Sequence, residues 1–157
     1  MFEQYFAYVW RSLLRFGATK VDAEDLAQEV FIEVHRRLVD FDTTRSLKPW
    51  LFGIARNVVR DHWRKKKRQP DAKGLVDEAS QNDPAVGAME AAQVVRHALR
   101  RLPEDRRAVF IGVELDQMTV REVAQALEIP ENTCGSRLRV ARVEFREAVR
   151  TLTGGVP

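Results

Sequence analysis

Apolar residues recur at three- and four-residue spacing along most of the chain, a period that selects α-helix and leaves little room for strand. Phe2, Tyr5, Phe6, Val9, Leu13 and Phe16 form a first stripe, which Gly17 is placed to end in a left-handed conformation. Ala27, Val30, Phe31, Val34 and Leu38 form a second, with Asp22 as the expected N-cap. Leu51, Ile54, Ala55, Val58 and His62 form a third, on a helix predicted from Trp50 to Arg64. The period then lapses. Between Gln69 and Ala88, Pro70, Gly74, Pro84 and Gly87 punctuate a stretch with Asp71, Asp77, Glu78 and Asp83 against a lone Lys73, the composition of a flexible acidic linker. Helical spacing resumes with Val94, Val95, Ala98, Leu99 and Leu102. The predicted architecture is all-α: two small helical domains, residues 1–68 and 89–153, joined by a linker over 69–88.

The second domain carries its own punctuation. Pro103 followed by Glu104 and Asp105 starts a helix, with proline in the first turn and acids near the positive end of the dipole. Thr119 to Glu122 fits a capping box, and Val120, Val123, Ala124 and Leu127 supply the buried face of the short helix behind it. A turn with Ile129 and Pro130 leads into a helix from about Glu131 to Arg150. There Leu138, Ala141, Phe145 and Ala148 are spaced for packing, while Arg137, Arg139, Arg142, Arg146 and Arg150 remain for DNA. This is a helix-turn-helix pattern, in which the first helix braces a second that enters the major groove. Short helical pairs with basic surfaces also occur in plain bundles, so the pattern needs structural context.

A segment rich in aromatic and basic residues points to nucleic acid of another kind. On the helix from Trp50, the residues Trp50, Gly53, Asn57, Asp61 and Arg64 share a stripe expected to face outward, flanked by Arg56 and Arg60 and continued by Lys65, Lys66, Lys67 and Arg68. Aromatic faces stack on unpaired bases while cations neutralise phosphates, the pairing that holds single strands. The competing reading makes Trp50 and Trp63 packing residues and the basic run a solvated helix end favoured by the dipole. Trp63 is assigned to packing; for Trp50 and Asn57 the adjoining cations favour nucleic acid. Asp25, Gln28 and Glu29 cluster on the preceding helix, which by spacing alone is an ordinary solvated face.

Composition narrows the function classes. At 157 residues and 45% hydrophobic the chain can build folded cores, yet no apolar run is long enough to span a membrane. The segment Phe2 to Phe16 is broken by Arg11, Ser12 and Arg15 and lacks a signal peptide's basic start, so a cytoplasmic location is expected. The net charge is only +3, but the pI is about 9.3 and basic residues gather at 56–68 and 137–150, suggesting two surfaces for nucleic acid. Cys134 is the only cysteine, which removes any internal disulfide or thiolate cluster, and a core-packing role is expected for it. His35, His62 and His97 have no second ligand at helical spacing. No nucleophile motif, glycine-rich phosphate loop or metalloprotease motif is present, so neither an enzyme nor a cofactor is expected.

Taken together, DAEDLAQEVF followed by DFDTTRSLKPWLFGIARN resembles the second conserved region of the bacterial RNA polymerase sigma factors, in particular the short extracytoplasmic-function group. LPEDRRAVFIGVELDQMTVREVAQALEIPENTCGSRLRVAR resembles their fourth. The similarity runs from Phe2 to about Arg150, with both regions in family order. It implies a factor that binds core RNA polymerase, recognises and melts promoter DNA and catalyses nothing itself. Asp25, Gln28 and Glu29 match the cluster that grips the coiled coil of the largest polymerase subunit. The loop from Phe41 to Pro49 matches the segment that captures a flipped minus-ten base. Trp50, Arg56, Asn57, Arg60 and Arg64 fall to minus-ten recognition and melting. Glu131 to Arg142 matches the minus-thirty-five recognition helix, with Asn132, Thr133, Ser136, Arg137, Arg139 and Arg142 as its DNA-facing residues. The resemblance further implies an anti-sigma factor as the regulatory partner. Two positions depart from the family: Gly135 where relatives often place Lys or Arg, and Glu128 where a glycine usually makes the turn. The main rival is a helix-turn-helix regulator that binds duplex DNA alone, with residues 1–68 for dimerisation or sensing. A second rival is a sigma-like adaptor or decoy that makes protein contacts only.

Overall fold

The computed structural model describes residues 2–68 and 90–154, and among these the regular structure is helical. The linker expected over 69–88 lies outside the described residues, as does the side chain of Phe2. The first unit comprises α1 (Phe2–Arg15), α2 (Lys20–Arg37), a 3₁₀ turn at Leu38–Asp40 and α3 (Leu47–Arg68). The second comprises α4 (Ala91–Arg100), α5 (Glu104–Phe110) with a π turn at Ile111–Leu115, α6 (Val120–Leu127) and α7 (Glu131–Leu152).

The helix ends follow from local chemistry. Gly17 sits at φ 110° and closes α1: its N–H reaches the Leu14 carbonyl at 3.1 Å, and that of Ala18 reaches Leu13 at 3.0 Å. Thr19, not Asp22, caps α2, its Oγ1 accepting the Asp22 N–H at 3.1 Å. Both residues are good caps, and position three along is equally suited to an acid, which is where Asp22 lies. Its carboxylate instead receives Lys66 Nζ at 2.7 Å and sits 3.3 Å from His62 Nε2, pinning the start of α2 to the end of α3. Burial works to raise the Asp22 pKa, but Lys66 and His62 outweigh it and hold the carboxyl below its ordinary value.

The expected capping box of α6 is present, with Thr119 and Glu122 each accepting the other's backbone N–H. Glu128 ends α6 at φ 57°, ψ 46°, and the Ile129 N–H returns to Ala124 at 3.0 Å. A side chain in this left-handed region is strained by about 1 kcal/mol. Glu128→Gly should therefore raise unfolding stability by roughly that amount, read from a urea transition; no gain would show that the turn relieves the strain elsewhere.

One apolar core runs through both units, centred on α3. Phe52 is fully buried, 5.3 Å from the Phe16 ring, and reaches the backbone of Gly112 across the junction, where a Cβ would lie 3.1 Å from its Cζ. Cys134, Leu138 and Ala141 bury the inner face of α7, and burial pushes the Cys134 thiol pKa up, as suits a packing residue. Two stripe residues depart from expectation: Phe6 is 37% exposed beside Trp10 and Phe31, and Leu38 lies on the surface. The α3 stripe departs further. Gly53, expected to face outward, is buried against α6.

Candidate nucleic-acid interface

The outer face of α2 presents Asp25, Gln28 and Glu29 to solvent while Ala23, Leu26, Ala27 and Val30 hold the opposite side in the core. Beside them Phe6, Gln28, Phe31, Ile32, His35 and Arg36 line an open apolar depression of about 530 Å³. Ile32 is 61% exposed there, an apolar contribution that the polar reading of this face passed over.

The chain between α2 and α3 is shaped by short-range bonds. Asp42 Oδ1 accepts the Thr44 backbone N–H at 3.0 Å and its hydroxyl at 2.6 Å, and these bonds hold the Asp42 pKa below its ordinary value. The turn delivers Phe41 onto Trp50, with ring centroids 4.5 Å apart at a 36° tilt. Both rings border a cavity of about 600 Å³ whose opposite wall is α6, through Arg121, Glu122, Gln125 and Ala126. Asn57 lines a separate groove of about 280 Å³ between α2 and α3, shared with Glu29, Asp61 and Lys65. The structure thus brings Phe41 and Trp50 together and sets Asn57 apart from them.

The arginines of α3 divide. Arg64 is exposed, whereas Arg56 is only 7% exposed, with Nε 2.7 Å and Nη2 3.3 Å from the two carboxylate oxygens of Glu104. Arg60 is half-buried, and its Nε has no hydrogen-bond partner among the described residues. On α7, Asn132, Ser136, Arg139 and Arg142 are exposed and Thr133 is half-buried. Arg139 Nη2 lies 3.4 Å from Ser136 Oγ. Arg137 pairs with Asp105 at 3.6 Å and Arg142 with Glu114, so both cations must exchange a carboxylate for a phosphate or base to serve DNA. A Cβ at Gly135 would meet nothing within 4 Å, so this side of α7 faces open space.

Several polar residues that join the two units had no sequence signal. Asp116 is 4% exposed and accepts Tyr8 Oη at 2.8 Å and Arg15 Nη1 at 3.1 Å, while its backbone carbonyl takes Lys48 Nζ at 2.7 Å. Burial, then the adjacent Asp116 charge, drives the Tyr8 hydroxyl pKa far up, so it stays a neutral donor. Local backbone aims Asp116 inward: the π turn returns its N–H to Ile111 at 2.9 Å, and Gln117 follows at φ 61°. Among the described residues, no cluster of His, Cys, Asp and Glu is arranged to hold a metal, and no helix is long and apolar enough to cross a membrane.

Comparison with known proteins agrees with this layout. The sequence model for Sigma-70 region 2 matches residues 1–69, and that for Sigma-70 region 4 matches residues 92–145. The ECF RNA polymerase sigma factor SigW of Bacillus subtilis is 30% identical over 146 residues, covering 83% of this chain and 77% of that protein. The ECF RNA polymerase sigma factor RpoE of Cereibacter sphaeroides is 34% identical over 152 residues, covering 94% and 83%. In fold the chain matches the sigma factor RpoE of Bartonella quintana, solved with the anti-sigma factor NepR, at a TM-score of 0.72 and 23% identity over 95% of this chain and 96% of that one. It also matches CnrH, solved with the cytosolic domain of CnrY, at 0.68 and 22% over 95% and 84%. With two matched regions in order, and relatives at 30% identity or more along most of both chains, the chain belongs to the ECF RNA polymerase sigma factors.

Proposed function

We propose that this chain binds core RNA polymerase through α2, directs it to promoters, and helps open them through the loop and helix that carry Phe41 and Trp50. The observation that carries this reading is the Phe41–Trp50 aromatic pair, set at the start of a helix that ends in Arg64, Lys65, Lys66, Lys67 and Arg68. Stacking surface and phosphate-neutralising charge on one helix suit a strand whose bases have left the duplex. The α7 surface around Ser136 and Arg139, braced by α6, suits the major groove of the upstream element. The two units keep the boundaries 1–68 and 89–153 as functional modules. The chain acts in the cytoplasm, as an initiation factor without a reaction of its own, and an anti-sigma factor restrains it.

Co-purification with core polymerase followed by run-off transcription tests the reading directly. A regulator acting on duplex DNA alone would bind its operator without polymerase and give no run-off product, and an adaptor or decoy would bind protein but give none either.

The α2 assignment has its own test. Replacing Gln28 and Glu29 by alanine should weaken core-polymerase binding by at least about tenfold, the loss of roughly 1.4 kcal/mol, with little change in stability because both side chains are exposed. A titration with unchanged affinity would move the polymerase contact off this face.

A further inference from the structure

We propose that the cleft where α4 passes the end of α1 and the start of α2 binds a small phosphate anion of the size of diphosphate, held between Lys20 on one side and Arg96 and Arg100 on the other. The cleft has a volume of about 250 Å³ and takes Thr19 and Lys20 from the first unit and Gln93, Arg96, His97 and Arg100 from the second. Among the described residues no carboxylate lines it. Other arginines near the junction are matched: Arg15 by Asp116, Arg56 by Glu104, Arg106 by Glu144 and Arg137 by Asp105. Lys20, Arg96 and Arg100 have no such partner among the described residues. Arg96 and Arg100 stand four residues apart on α4, so they rise from the same face, and like charges at that spacing repel. Both are half-buried, where repulsion is screened less than in open water. Arg100 also opposes the buried Arg107 cation and helps to lower its pKa. An anion set among these groups turns the repulsion into attraction.

The start of α2 strengthens the same field. Thr19 Oγ1 accepts the Asp22 N–H and the Thr19 carbonyl accepts that of Ala23 at 2.8 Å, while the N–H groups of Lys20 and Val21 precede the first helical acceptor. An 18-residue helix therefore brings its positive end to the cleft beside three cations. Asp22, in the same turn, does not cancel them, because Lys66 and His62 engage its carboxylate. Size and chemistry narrow the ligand. The cleft is smaller than the roughly 300–1,000 Å³ of sites that enclose drug-sized molecules, so it holds an anionic group rather than a whole cofactor. Two guanidinium forks offer paired N–H donors to phosphate oxygens, and three cations match a multiply charged anion better than a monovalent one.

Calorimetric titration of the full chain at fixed ionic strength tests this with sodium phosphate, sodium diphosphate and ATP as separate probes. Diphosphate should bind at least about tenfold more tightly than phosphate, and saturating diphosphate should raise the midpoint of urea unfolding. Arg96→Gln and Arg100→Gln should each weaken diphosphate binding by at least about tenfold and abolish the rise in midpoint. Without diphosphate their midpoints should be no lower than the parent's, because each substitution removes a repelled charge. Arg121→Gln, which takes the same charge from the exposed face of α6, should bind diphosphate as the parent does. ATP that binds through Arg96 and Arg100 as tightly as diphosphate would assign the phosphates to a nucleotide, and its exclusion would assign them to the free anion; both uphold the site. Diphosphate that does not bind, or that Arg121→Gln weakens as much as Arg96→Gln, would leave only the diffuse attraction of a basic chain and overturn it. A short DNA duplex that binds through Arg96 and Arg100 where diphosphate does not would make this surface a DNA contact, and would overturn it too.

Discussion

Transcription from a fully duplex promoter should fall roughly five- to a hundredfold when Trp50 is replaced by alanine, the span set by ~1–3 kcal/mol for stacking on one extruded base. A template already mismatched across the minus-ten element should lose much less, because its bases are unpaired before the factor arrives. The contrast follows from where Trp50 stands. It is half-buried, beside Phe41 at 4.5 Å and on the border of the cavity under α6. A ring already held by its neighbours is pre-set for stacking at small entropic cost. A purely structural tryptophan would lower activity on both templates alike and depress unfolding stability with it. Parallel run-off assays on the two templates therefore separate the roles, and an equal loss on both would return Trp50 to the core.

How much of this was legible in the sequence depends on range. Helices, their stripes and several of their ends are local, and the chain announces them: Gly17 at positive φ and the Thr119–Glu122 box lie where the pattern put them, while the turn at Glu128 was raised only by the family resemblance. The N-cap of α2 moved from Asp22 to Thr19 because two good caps stand three residues apart and only the tertiary pull of Lys66 and His62 on Asp22 decides between them. The face of α3 was misread for a longer-range reason. Periodicity separates the stripe of Leu51, Ile54 and Val58 from that of Trp50, Gly53 and Asn57, but it cannot say that a second unit packs on Gly53 and walls the cavity beside Trp50. The glycine was the available clue, since a small residue in a helix stripe is where another backbone can approach. The Tyr8–Asp116 bond spans 108 residues, and a lone aspartate after a π turn carries no local signature of such a partner.

The candidate sites divide in the same way. Asp25, Gln28 and Glu29 stand together on open surface because residues three and four apart on one helix must. Arg56, Arg137 and Arg142 were equally visible as cations, yet each is held by a carboxylate from the second unit. Spacing along one helix reveals which side chains share a face and is silent about which charges oppose them. A backbone phosphate would offer two oxygens to the same guanidinium fork, so these pairs leave the arginines open to exchange.

The largest loss of stability should come from Arg107, a residue with no role in the sequence reading. Its guanidinium donates through Nε to the Leu99 carbonyl at 2.8 Å and through Nη1 to that of Phe16 at 2.8 Å. Through Nη2 it reaches Leu102 at 2.9 Å and Arg100 at 3.3 Å. Three of these carbonyls belong to the end of α4 and the turn after it, where a helix runs short of N–H donors and Pro103 has none to offer, although the Leu99 carbonyl also takes the Leu102 N–H at 3.1 Å. The fourth lies just beyond the end of α1 in the first unit, so one side chain satisfies a helix end and ties it across the junction. Burial pulls the Arg107 pKa down from its ordinary value, against the nearby Glu104 charge, which favours the cation. Arg107→Ala should cost about 3 kcal/mol or more, because several acceptors lose a charged donor at once and water reaches the junction poorly. Arg107→Lys keeps the charge but not the planar fork, and one ammonium cannot serve acceptors spread over two helix ends, so it should recover less than half of the loss. Urea unfolding of the full chain measures both. A deficit below about 1 kcal/mol for the alanine variant would mean that solvent takes over these carbonyls, and that the junction is wetter than its geometry indicates.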